Sequence, residues 1–170
     1  MDVNYWGVVH TCRSFAPRLR ALSSDGRRTA IVNVLSDFAL FSLPTKAAYA
    51  ASKYAARAFT ESLTAELYGT GVSVTAAFVG ATATRLVSRG IAVDRAAQAR
   101  EAAFLERGMA PERVAQRILR AARLGRARVT IGSDAWALEL TTRFSPRLLQ
   151  FAVRRGWRHI PMLSSPEKRP

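Results

Sequence analysis

A chain of 170 residues, 49% of them hydrophobic, can bury one substantial core and favours a single domain. It holds one cysteine, Cys12, so no disulfide can form within it, and it has no apolar run of about eighteen residues, so no membrane span is expected. The net charge of +14 would suit an anionic partner, but the basic residues are spread rather than blocked and no nucleic-acid motif accompanies them, so solvated arginine faces are the preferred reading.

In chain order, residues 2 to about 22 read as a helix, with Val3, Trp6, Val9 and Phe15 recurring at three-to-four spacing. Pro17 is expected to kink or break it. A polar turn over 22–28 leads into 29–35, a short apolar run rich in β-branched residues that reads as a strand covered on both faces. Residues 37–43 read as an apolar loop carrying Phe38, Leu40, Phe41 and Leu43. Pro44 and Thr45 open a long helix to about residue 68, which Gly69 and Gly71 end. A second buried strand covers 73–79, and 82–108 reads as an irregular or helical mobile cover. Pro111 and Glu112 sit in the first turn of a further helix. A third strand covers 128–132, and 134 to about 158 forms one or two helices interrupted near Pro146. The polar tail 161–170 is expected to be loose. Strands alternating with helices predict an α/β fold around a parallel sheet. The lone thiol, and an N-terminus with no basic flank before an apolar core, point to the cytoplasm.

The chemistry concentrates in Tyr49-Ala50-Ala51-Ser52-Lys53 and Ser36. Tyr49 and Lys53 lie four apart and share one face of the predicted helix. A phenol titrates near pH ~10, and an ammonium close by is expected to lower that value and fit it for acid-base work on a carbonyl or alcohol. Only three of the 26 basic residues are lysine (Lys46, Lys53 and Lys168), so a compact ammonium rather than a guanidinium is selected at position 53. Ser36 ends the first strand, where active sites of open parallel sheets lie. On spacing alone, a surface tyrosine beside a solvated lysine explains Tyr-x-x-x-Lys equally well.

Taken together, Ser36, the thirteen-residue interval and Tyr-Ala-Ala-Ser-Lys resemble the short-chain dehydrogenase/reductase family. The resemblance extends to Asp2-Val3-Asn4-Tyr5-Trp6-Gly7-Val8-Val9, like the family's helix start with its asparagine. It includes Ile31-Val32-Asn33-Val34-Leu35-Ser36, like its serine-bearing strand, and Val72-Ser73-Val74-Thr75, like the strand that follows. It runs from residue 2 to about 85 and more faintly through 110–140. It implies a partial Rossmann-like, doubly wound parallel sheet of three strands and flanking helices, spanning 1–160. The family's Thr-Gly-x-x-x-Gly-x-Gly fingerprint and Asn-Ala-Gly segment have no match here. The chain is therefore expected to be the second part of the domain, as a fragment, from a misassigned start, or by truncation. The first strand should then lie at an open edge, and the isolated chain is expected to fold poorly or bind cofactor weakly.

The resemblance implies roles for particular residues. Tyr49 would be the general acid-base, and Lys53 would lower its pKa and bind the nicotinamide ribose. Ser36 would orient the substrate oxygen, and Asn4 would hold a water relaying protons to Lys53. By itself, Asn4 reads as a helix cap. Gly80, Thr82 and Thr84 stand where the family contacts the nicotinamide of NAD or NADP, although Val79 replaces the usual proline, leaving that loop's rigidity in question. Phe38, Leu40, Phe41, Leu43, Leu86 and Val87 flank the site, with Phe104 and Met109 as its cover, so a substrate with an apolar body is expected; ordinary core is the competing reading. Helices 2–22 and 45–68 resemble the pair that joins family members into homodimers or homotetramers. His10 and His159 lack metal-ligand spacing, so no metal site is expected.

Residues 143–159 mix arginines with Phe144, Leu148, Phe151 and Trp157. They suit either a helix lying on an anionic membrane or one packed on the sheet or a partner subunit, the latter preferred. For the whole chain two functions compete: an NAD(P)-dependent oxidoreductase interconverting a carbonyl and a secondary alcohol, and a truncated non-catalytic remnant acting at most as an interaction or membrane-peripheral domain.

Overall fold

The computed structural model describes residues 1–89 and 94–157. Asp2–Trp6 form a π-helical turn that runs directly into α1, Gly7–Ser24. The helix passes through Pro17 without ending. Pro17 is exposed, where the carbonyl its ring frees can meet water. Strand β1, Thr29–Ser36, is followed by a 3₁₀ turn, Asp37–Ala39. Helix α2 spans Ala47–Glu66 and strand β2 Val72–Val79. Within 82–108 the predicted cover contains helix α3, Arg95–Glu106. Helix α4 spans Pro111–Arg123, strand β3 Arg128–Ile131 and helix α5 Ser133–Phe144. The segment is two helices interrupted at Ser145-Pro146, as its sequence suggests, and Pro146 is the first residue of α6, Pro146–Gly156. The predicted tail and His159 lie outside the described residues.

The three strands form a parallel sheet in the order β1-β2-β3. Their burial follows this order. All but two residues of β2 are buried, as befits a central strand covered on both faces. β1 alternates instead: Ile31, Asn33 and Leu35 are buried, whereas Val34 is 54% exposed. Its buried face packs on α1 and α2. Cys12, Ile31, Leu63, Leu67, Val72 and Val74 form one cluster there, edged by Val8, Leu19 and Phe59. Asn33 is buried on that face and fully engaged, its amide donating to Thr60 Oγ1 at 3.0 Å and its carbonyl facing the Cys12 thiol at 3.6 Å. The outer edge of β1 pairs with no strand among the described residues.

A second cluster gathers Leu35, Ala39, Leu40, Ala56, Ala76 and Phe78 toward the strand ends. Leu40, expected at the site, belongs here. The Phe78 ring is fully buried, with the Arg128 guanidinium 3.9 Å and that of Arg57 5.7 Å from its centroid. Arg128 is held by Glu139 at 2.9 Å, and Arg57 by Glu61 at 2.8 Å and the Ala39 carbonyl at 3.2 Å. Phe78→Ala removes the ring and leaves both cations facing a cavity. It should cost about 3–5 kcal/mol, read as a lowered denaturant midpoint.

Candidate active site

In the β1–β2 register Ser36 pairs with Val79, so both strands end at the same level. The turns that follow therefore stand side by side, at the carboxyl end of a parallel sheet. Ser36 caps the 3₁₀ turn: Phe38 N–H donates to its Oγ at 3.3 Å and to Asp37 Oδ1 at 2.9 Å. The Ser36 hydroxyl donates in turn to Asp37 Oδ1 at 2.7 Å, which directs the serine's lone pairs away from Asp37. Tyr49 sits in the first turn of α2, after a connection in which Thr45 adopts a positive φ of 70°. The Phe38 ring meets the Tyr49 ring edge-on at 5.6 Å and stacks on Phe41 at 5.0 Å.

Ser36, Tyr49 and Lys53 converge on one cavity of about 1280 Å³. Gly80, Thr82 and Thr84 line it from the turn after β2; Phe38, Leu43 and Leu86 line it as apolar walls. Phe41, Val87 and Phe104 line it as well, whereas Met109 lies behind the wall, bridging Thr82 through the backbone. Asn4 does not reach the cavity. Its amide donates to Ser52 Oγ at 3.1 Å, and Ser52 donates to the Tyr49 carbonyl at 2.7 Å. Asn4 is therefore not a side-chain cap; it ties the π-helical turn to the stretch of α2 between Tyr49 and Lys53. His10 stacks on Trp6 at 5.8 Å, away from this site.

The electrostatics correct one expectation. Tyr49 is not lowered by Lys53; its pKa is raised above the usual phenol value. Burial is the main cause, a hydrogen bond with Ser36 opposes it, and the negative charges of Asp37 and Glu101 add to it. Lys53 lies along the phenol ring, its Nζ 5.8 Å from the ring centroid, and donates to the Val34 carbonyl at 3.4 Å on the open edge of β1. Burial lowers its own pKa. The Asp37 carboxyl is raised by burial, against its hydrogen bond from Ser36. Two desolvated groups thus outweigh the simple attraction between neighbours on a helix.

Three participants went unread in the sequence. Asp37 directly follows Ser36, and an acid beside a strand-end hydroxyl was a signal available there. Glu101 has none: it comes from α3, forms an ion pair with Lys46 at 2.6 Å, and closes that side of the cavity. Asp134, in the first turn of α5, accepts the Ala81 N–H at 2.7 Å. Gly80 N–H meanwhile donates to the Ile131 carbonyl at 2.9 Å, and Met109 N–H to the Ala81 carbonyl at 3.0 Å. The turn that lacks the proline is thus held through its backbone. A Cβ on Gly80 would stand 2.3 Å from Asp134 Oδ1. Gly80→Ala should therefore displace the carboxylate and strand the Ala81 N–H, at about 1–3 kcal/mol in denaturant unfolding, with the cavity rim loosened.

The sequence matches the short chain dehydrogenase family over residues 1–92. SadH of Mycobacterium tuberculosis, an oxidoreductase by description, is 35% identical over 92% of this chain and 57% of its own length. The 1-deoxy-11-beta-hydroxypentalenate dehydrogenase of Streptomyces avermitilis is 41% identical over 55% of this chain and 33% of its own. Among solved structures, a short chain dehydrogenase of Burkholderia cenocepacia in complex with NADP aligns with a TM-score of 0.72 at 28% identity, covering 90% of this chain and 56% of the other. One from Burkholderia phymatum in complex with NAD reaches the same TM-score at 24% identity, covering 88% of this chain and 57% of the other, and shares the fold. The chain spans a little over half of SadH and of the aligned Burkholderia chains. On this similarity in sequence and fold, the chain belongs to the short-chain dehydrogenase/reductase family of oxidoreductases.

Proposed function

We propose that this chain carries the catalytic tyrosine, serine and lysine of a nicotinamide-dependent oxidoreductase that interconverts a carbonyl and a secondary alcohol. The observation that carries the reading is the convergence of Ser36, Tyr49 and Lys53 on the rim of one largely apolar cavity at the ends of β1 and β2. The rim suits the nicotinamide end of a dinucleotide. Among the described residues, Lys53 Nζ makes a long bond to a strand carbonyl and can turn to a ribose hydroxyl. Thr82 and Thr84 add hydroxyls beside the Gly80 backbone. Bound there, the cofactor supplies or accepts the hydride.

The chain's own residues handle the substrate oxygen. Ser36 stands beside the Tyr49 hydroxyl, and by turning its one proton from Asp37 to the substrate oxygen it would orient that oxygen for Tyr49. Tyr49 then gives that oxygen its proton in reduction or takes it back in oxidation. A phenol raised above its usual pKa keeps its proton at neutral pH, the form in which it can donate to a carbonyl oxygen. The walls of Phe38, Leu43 and Leu86 select a carbonyl compound with an apolar body. The exposed Val3 and Phe15, beside the half-exposed Trp6, suit a homodimer contact through the opening turn and α1.

A second reading, the non-catalytic remnant, draws on the open edge of β1 and the 54% exposure of Val34. Titration of the full chain with NADH and NADPH separates the two. Binding, together with reduction of an apolar ketone that falls about 10²- to 10⁴-fold in Tyr49→Phe while cofactor affinity is kept, supports the enzyme. Undiminished activity in Tyr49→Phe rejects the tyrosine mechanism; no binding of either cofactor by a folded chain leaves the remnant.

The raised phenol also sets a pH dependence. Reduction needs the protonated form, so kcat should stay flat through neutral pH and fall only above pH ~10. Glu101→Gln removes one of the charges that hold the proton on Tyr49, so it should move that fall toward lower pH. A pH–rate profile of both proteins checks the sign.

A further inference from the structure

We infer that the outer face of α5 and α6 is a docking surface for an anionic lipid bilayer. Trp136, Leu140 and Phe144 recur every four residues along α5, and Leu148 and Phe151 lie three apart on α6, which packs against it. All five are exposed, Phe144 at 77%, Leu148 at 57% and Phe151 at 56%. Single apolar residues on a surface are ordinary; a recurring row of large ones is not.

Charge identifies what covers them. Arg143, Arg147, Arg154 and Arg155 are all exposed, and residues 140–157 contain no carboxylate. The Arg155 guanidinium lies over the Phe151 ring, 5.6 Å from its centroid, so charge and apolar surface are intermingled on α6. A second copy of the chain seated here about a twofold axis would bring like-charged arginines face to face, which disfavours a self-interface. A bilayer with acidic headgroups accepts both parts, aromatic and leucine side chains entering the acyl boundary and guanidiniums meeting phosphates. The helices are too short to cross it, and none of the described helices is a candidate membrane span.

The opposite side of α6 gives the arrangement a use. Leu149, Val153 and Gly156 line the cavity that holds Tyr49. One helix, about 10–12 Å across, would then separate the lipid from the cavity. An apolar substrate dissolved in the bilayer could pass to the site without crossing bulk water. This last step rests on the enzymatic reading above; the docking surface does not.

The test is sedimentation of the full chain with vesicles of neutral phosphatidylcholine, alone or mixed with anionic phosphatidylglycerol. Binding to the mixed vesicles only, weakened by salt, is expected. A Leu148→Glu, Phe151→Glu double variant should lose about tenfold or more in partitioning, and Arg147→Ala with Arg154→Ala should lose the preference for anionic lipid. These positions are exposed, and unchanged circular dichroism excludes misfolding as the cause. No binding to anionic vesicles overturns the inference. So does vesicle binding that the variants leave intact, or a dimer that Leu148→Glu with Phe151→Glu dissociates in sedimentation velocity while vesicles are ignored. Vesicle binding is read without cofactor, so its failure is distinct from failure of the catalytic reading.

Discussion

The parallel pairing of β1 with β2 is the constraint on which the site depends. It sets Ser36 level with Val79, so the serine turn and the glycine turn leave the sheet together. Shifting that register by one residue would turn Asn33 away from Thr60 and Cys12 and bury the opposite set of side chains. The α2 end of the site is held to the same frame. Thr60 anchors the middle of the helix to β1, while Asn4 and Ser52 tie its first turns to the π-helical turn before α1. Such turns within helices are common at functional sites, and here one serves to bring Asn4 against α2.

Within this frame, desolvation dominates the electrostatics. Tyr49, Asp37 and Lys53 are each shifted toward their neutral forms, mainly by burial. Two carboxylates near the phenol reinforce its proton, and one of them, Glu101, is drawn in by Lys46 across the cavity mouth. The Lys46–Glu101 pair is only partly exposed, so water screens it less than a surface pair. It therefore joins the packing of α3 to the proton affinity of Tyr49.

The sheet is unevenly finished. β2 is buried on both faces, while β1 is covered on the α1–α2 face and half open on the other. The chain accounts for 57% of the length of SadH and 56% of the aligned Burkholderia cenocepacia chain. An edge strand with an exposed valine is a natural place for further backbone pairing.

Much of this was legible in the residues. The β-branched run before Ser36, the glycines at 69 and 71, and the proline that opens α4 located strands and helices to within a few residues, because they act through local sterics and hydrogen bonding. Period placed Ser36 at a strand end and Tyr49 and Lys53 on one helix face, while their grouping into one site came from the resemblance to the short-chain family. The break near Pro146 was readable because proline cannot continue a helix but can begin one. Leu40 read equally as cavity wall or core, because apolar character does not say which of two apolar environments a side chain enters. Sequence by itself thus determined the family, the order of elements and the candidacy of Ser36, Tyr49 and Lys53. Only the tertiary structure decided which way the phenol's pKa moves, since burial and the charges of Asp37 and Glu101 depend on what surrounds a group in space. It alone also brought Asp134, from the far side of β3, beneath the glycine turn, through contacts between segments that spacing along the chain does not encode.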